Sequence, residues 1–302
     1  LRGLSHKMII FVAEKLQSLF KPALHNSVFN IMRKEFFFIG SALIANATLL
    51  KAEKHRENPV NVIYILADDL GYGDIGCYGQ DKIKTPHIDR MAQEGMLFTQ
   101  HYAGCTVSAP SRCSLMTGLH TGHSQIRGNK EIKPEGQQPM EATTYTLGRL
   151  MKSAGYATGI FGKWGLGYIG TSGDPKNQGC ETFYGYNCQL LAHSYYPDHL
   201  WDNDQRVELK DNVLEVQYGK GTYSQDLIHS KALDYLDNLK EDEPFFMWYP
   251  TILPHAELIV PEDSIIKKFR GMYPEKAYKG TEPGSPAFRK GGYCTQLHPH
   301  AT

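Results

Sequence analysis

Several short apolar runs along the chain end in charged residues or glycine, and segments with helical spacing lie between them. Residues 61–67 read Asn-Val-Ile-Tyr-Ile-Leu-Ala, with no polar alternation and with Asp68-Asp69 at the end. A run of that kind predicts a strand covered on both faces, the normal state inside a parallel sheet. Glycines 71, 73, 76 and 79 mark a loop after it. Thr85-Pro86 supplies a helix cap and a first-turn proline for a short helix that Gly95 ends. Residues 96–102 read as a strand. Residues 143–153 form a predicted helix closed by Gly155, and residues 157–162 a further strand. A helical pattern spans 223–239, and the aromatic run 244–249 (Pro-Phe-Phe-Met-Trp-Tyr) is a predicted buried strand.

Strands alternating with helices predict an α/β sheet with helices on both faces. Ligands of such sheets sit beyond the carboxyl ends of the strands. Asp68, Lys163 and His255 each follow a predicted strand, so all three are expected at one edge. From Gly271 onward glycine and proline abound and no periodic segment appears.

Thirty-two basic and thirty-two acidic residues cancel among 302, which leaves no general attraction to nucleic acid or to a membrane surface. Any anion recognition is therefore local. From Met32 the order is a short basic segment, an apolar run over 36–50 and Ala45-Asn46-Ala47, the pattern of a secretory signal peptide. The apolar run is short for a membrane span. Residues 32–52 are thus expected to direct export to the periplasm or the medium without stable membrane insertion. Residues 1–31 would be upstream translated sequence. The alternative, a buried helix, fits the same apolar run. Six cysteines show no metal-ligand spacing; Cys180 and Cys188 can close a short loop or stay free.

Adjacent carboxylates such as Asp68-Asp69 repel unless a divalent metal or arginines neutralise them, although such a pair also occurs as a solvated turn. More specific is residues 108–118, Ser-Ala-Pro-Ser-Arg-Cys-Ser-Leu-Met-Thr-Gly. A helix beginning near Pro110 would turn its first amides toward an anion. This stretch resembles the signature of the formylglycine-dependent sulfatases, in which Cys or Ser leads x-Pro-Ser-Arg and a Thr-Gly close. The resemblance extends over most of residues 60–260. It includes residues 61–71, residues 85–92, Thr121-Gly122-His123, Arg127-Gly128-Asn129, residues 161–167 (Phe-Gly-Lys-Trp-Gly-Leu-Gly) and Pro254-His255.

That resemblance implies an alkaline-phosphatase-like sandwich, a mostly parallel sheet between helices, with residues 53–302 as the N-terminal part of the catalytic domain. It implies hydrolysis of sulfate esters, of a glycan or another small molecule, at a formylglycine that a maturase makes from Ser108. Asp68, Asp69 and the modified Ser108 would ligate a divalent cation, calcium. Arg112 would stabilise the aldehyde hydrate, Lys163 would donate to a sulfate oxygen, and His255 would contact the sulfate or protonate the leaving alcohol. His123 and Arg127 are expected to be structural. The stretch His193-Ser194-Tyr195-Tyr196-Pro197-Asp198-His199-Leu200-Trp201 is either a sugar-binding wall or a packed loop.

Two departures qualify the resemblance. Gly165 stands where the common motif carries a histidine that assists the formylglycine hydroxyls. The family's later Asp-Asn metal ligands and second lysine have no match after His255, so the domain is expected to be truncated at its C-terminus. The rivals are a phosphoester or phosphonate hydrolase of the same superfamily and an inactive anion-binding fragment.

Overall fold

The computed structural model describes residues 10–12, 59–212, 221–255 and 260–273. The chain divides into two units, residues 1–13 with 62–302, and residues 14–61, of which only 59–61 are described. The architecture below belongs to the first.

Seven strands form one sheet among the described residues: β1 (Ile10–Val12), β2 (Val62–Asp68), β3 (Ala157–Lys163), β4 (Thr182–Tyr186), β5 (His199–Asp202), β6 (Gln205–Glu208) and β7 (Phe245–Pro254). Their spatial order is β1-β2-β7-β3-β4-β5-β6. The centre, β2-β7-β3-β4, is parallel throughout, and the outer pairings β1·β2, β4·β5 and β5·β6 are antiparallel. The expected mostly parallel sheet between helices is therefore what the chain forms.

Successive side chains of a strand face opposite sides, and here both sides are covered. Tyr64, Leu66, Ile160, Phe183, Phe246 and Trp248 pack into one core with Ala109, Cys113 and Met116 of helix α2 (Ser108–Thr117). Phe161, Tyr184, Tyr186 and Met247 pack on the other side with Ile228 and Ala232 of α4 (Ser224–Asp237). This two-sided burial is why the runs in β2, β3 and β7 read as continuous rather than alternating. Trp164 and Trp248 are fully buried and meet edge to face, with ring centroids 5.8 Å apart. Truncating one such tryptophan typically costs about 3–5 kcal/mol.

Two glycines let β3 lie close against both of its parallel neighbours, β7 and β4. A Cβ on Gly162 would lie 2.2 Å from the Pro250 carbonyl oxygen, and one on Gly185 would lie 2.0 Å from that of Gly162. Their φ angles are +134° and +151°, which side-chain-bearing residues rarely adopt.

Some expected elements shift. Helix α1 (Pro86–Glu94) starts at the proline as read. Helix α3 (Leu147–Ser153) starts later than residue 143, because the Thr146 hydroxyl accepts from the Arg149 amide and caps it there. Residues 96–102 are not a strand: no described strand lies alongside to complete a ladder. Met96, Phe98 and Tyr102 are 77%, 54% and 52% exposed. The five described cysteines are free, Cys180 and Cys188 included. No described helix is long and apolar enough to cross a membrane. The apolar run over 36–50 lies outside the described residues.

Candidate active site

Strands β2 and β7 and helix α2 bring their termini to one edge of the sheet. A register irregularity falls between Ala67 and Asp68 at the end of β2, where Asp68 pairs with Pro254. Asp69 follows at φ +62°, a left-handed turn that aspartate tolerates better than most residues, and leaves the strand direction. Helix α2 begins at Ser108 itself, two residues before the expected start. Pro110 fits there because a first-turn residue needs no amide partner within the helix. The Ala109 amide donates to Asn129 Oδ1 at 2.9 Å, so that amide is capped by the chain and is not open to an anion. For this amide the expected opening toward an anion does not hold.

Asp68, Asp69, Ser108, Ser111, Arg112 and Cys105 line one pocket. At its floor Asp68 is buried between two cations. Lys163 Nζ donates to Asp68 Oδ2 at 2.7 Å, and Arg112 Nη2 lies 3.4 Å from the same oxygen. The Lys163 and Arg112 side chains are only 1% and 2% exposed, which places these charges where water screens them least. Arg112 Nε donates to Ser108 Oγ at 3.1 Å, and its Nη1 to the Lys163 carbonyl at 2.5 Å. One guanidinium thus ties the serine, the carboxylate and the end of β3 together.

Burial pushes the Asp68 carboxyl up, but the charges of Lys163, Arg112 and His255, with the lysine's hydrogen bond, hold it well below the carboxylate range. Burial lowers Lys163 and Arg112 from their ordinary values, partly offset by Asp68. His255 lies beside Asp69, with Nε2 3.4 Å from Asp69 Oδ2. The His193 ring stacks on it at 5.2 Å and 7°, and the Tyr195 hydroxyl donates to its carbonyl. All six residues singled out in the sequence therefore belong to one connected constellation.

Asn129, His193 and Tyr195 act on this site through residues the sequence did identify. Tyr195, Tyr196 and His199 are buried, which is the packed-loop alternative for residues 193–201. His199 sits between Asp198 and Glu135, at 2.6 Å from each. Burial and these carboxylates act on it in opposite directions, and the carboxylates prevail, raising it. Arg127 donates to the Gly122 and Ser124 carbonyls, within its own loop.

A calcium ion takes six or more oxygens. Asp68 and Asp69 are donors of the right kind, but no group of three or more potential ligands occurs among the described residues. Asp68 already carries two cationic partners. These residues fit a part of a calcium shell.

The sequence matches a family model described as Sulfatase over residues 60–287. It is 40% identical over 169 residues to an N-acetylgalactosamine-6-O-sulfatase of Bacteroides thetaiotaomicron, covering 55% of this chain and 32% of that protein. It is 30% identical over 231 residues to the N-acetylgalactosamine-6-sulfatase of Sus scrofa, covering 71% and 43%. Among solved structures, Ps i-CgsB in complex with k-i-k-neocarrahexaose superposes with a TM-score of 0.58 at 26% identity, covering 72% of this chain and 49% of that one. BT4656 in complex with its substrate D-glucosamine-2-N,6-O-disulfate gives 0.55 at 26%, covering 73% and 40%. The chain thus spans less than half the length of each of these relatives.

Proposed function

Because the chain belongs to the sulfatase family, we propose that the protein hydrolyses sulfate monoesters of a carbohydrate at an aldehyde made from Ser108. The observation that carries this reading is the Ser108–Arg112–Asp68–Lys163 network. Its ends are far apart in sequence, and its lysine and aspartate are 95 positions apart. The relatives named for N-acetylgalactosamine 6-sulfate, and the two solved with saccharides, support a sulfated sugar as substrate.

A hydrated formylglycine supplies two oxygens on one carbon, one to attack sulfur and one to expel sulfate, where serine has a single hydroxyl. Arg112 Nε is placed to hold the attacking oxygen of residue 108. Lys163, held buried beside Asp68, stands ready to donate to a sulfate oxygen as charge develops. His255, beside Asp69 and held by His193 and Tyr195, would give a proton to the leaving alcohol. Asp68 and Asp69 would hold the divalent cation, which neutralises sulfate charge when bound; calcium suits carboxylate oxygens.

Mass spectrometry tests the first requirement. After coexpression with a maturase that oxidises serine, the tryptic peptide of residues 91–112 should be lighter by two hydrogens. An unmodified peptide under those conditions sinks the reading. Aryl sulfate should be turned over well ahead of aryl phosphate, and the reverse order would assign the site to phosphoester chemistry.

Export belongs to the same proposal. N-terminal sequencing of secreted or periplasmic protein should start shortly after Ala47. Because β1 falls inside residues 1–31, the same measurement decides whether that edge strand persists. A soluble intracellular product that retains residues 32–47 would refute export.

A further inference from the structure

Beside Arg112 the chain leaves a space that a side chain from elsewhere fills. Gly165 follows β3 at φ +76°, and a Cβ there would lie 2.1 Å from Gln189 Nε2 and 3.7 Å from Arg112 Cδ. The extension of β3·β4 beyond the regular ladder brings the two segments together: the Gly165 amide donates to the Asn187 carbonyl at 3.0 Å. Gln189, two residues on, is anchored through its own amide to Gln137 Oε1 at 3.2 Å.

Its side chain is 5% exposed, yet neither Oε1 nor Nε2 has a hydrogen-bond partner within the protein. Desolvating both ends of a carboxamide without compensation is unfavourable, and such groups in native proteins call for an explanation. Position supplies one. The one point that a Cβ at Gly165 would occupy lies 2.1 Å from this amide and 3.7 Å from the stem of the arginine whose Nε holds Ser108 Oγ, so both border the space that Gly165 leaves open.

We propose that Gln189 is a sulfate-binding residue of this site, its Nε2 donating to an oxygen of the sulfate group carried at or next to residue 108. The inference rests on the sulfatase reading and adds to it a recognition residue drawn from a loop outside the signature. A carboxamide donates without titrating, so it adds affinity for the anion without adding a group to the pH profile. Glycine at 165 is then required by space. Any Cβ would drive the amide out of its position.

The test uses inorganic sulfate as the probe and the matured full chain. Gln189→Leu removes the donor at similar volume and is expected to weaken sulfate binding about tenfold or more, as for a lost hydrogen bond to a charged group. Gln189→Glu, which places like charge against the anion, should weaken it further. Gly165→Ala should reproduce the loss, and adding it to Gln189→Leu should have little further effect on sulfate affinity. Thermal unfolding without sulfate reports separately on folding. If a folded Gln189→Leu protein binds sulfate as tightly as the parent while the parent hydrolyses aryl sulfate, the inference falls and the sulfatase reading stands. If the parent neither binds sulfate nor hydrolyses aryl sulfate, both fall.

Discussion

Replacing Ser108 by alanine is expected to reduce kcat on an aryl sulfate by roughly five powers of ten, the scale on which removal of a covalent nucleophile acts. Ser108 is only partly buried at the first residue of α2, and its hydroxyl accepts from Arg112 Nε. The fold should therefore tolerate the change, with a melting temperature within about 2 °C of the parent, since near-surface substitutions of this size stay small. Ser108→Cys is the complementary variant. The family signature admits cysteine at this position, so a maturase acting on cysteine should restore turnover. Wild-type turnover from Ser108→Ala would remove residue 108 from the chemistry.

Lys163→Met should act first on stability. It takes the nearer of two cations from a buried carboxylate and leaves Arg112, 3.4 Å away, as its remaining partner. Breaking a buried pair in that way typically costs about 3–5 kcal/mol. The cost should depend on pH, and the sign follows from Asp68. Its folded-state carboxyl lies below the ordinary 3.8, so its contribution to stability is present above that value and is lost as the pH falls through the folded one. In the variant burial is less opposed, the folded-state value rises, and protonation relieves the strain sooner. The difference between parent and variant, read by urea unfolding in chelator, should therefore be large at pH 7 and smaller near pH 4. A difference near zero, or one unchanged between the two pH values, would show that the pair contributes no such energy.

Much of this site was legible in the sequence because its residues terminate patterned segments. Asp68 and Lys163 end apolar strands and His255 follows another, while Ser108 and Arg112 lie one helical turn apart on α2. Strand ends in a parallel sheet converge by construction. Residues that act across loops carried no such signal. Asn129 reaches the Ala109 amide, Tyr195 reaches the His255 carbonyl, and Gln189 reaches the space beside Gly165. Only the packed loops place them. Gly165 itself was visible as a departure from a familiar motif, but what fills the space above it was not. Residues 96–102 show the opposite failure: they read as a strand, but no described strand pairs with them. The antiparallel pair β5·β6 is four residues on each side and too short for periodicity to reveal.

The order of strands in space also bears on the order of events during synthesis. β7 lies between β2 and β3, although it is made after both. Until Phe245–Pro254 leaves the ribosome, β2 lacks its parallel neighbour and β3 has one edge open. At about 5–20 residues per second, the wait from Asp68 to Phe245 is on the order of ten seconds or more. During that time apolar edges are held apart only by sequence distance, and such edges are where nascent chains mispair. The nascent chain therefore passes through a window in which a holdase, or prompt threading through a translocon, would protect it. Lys163 and Asp68, fixed by strands that meet only through β7, can take up their final geometry only when that window closes.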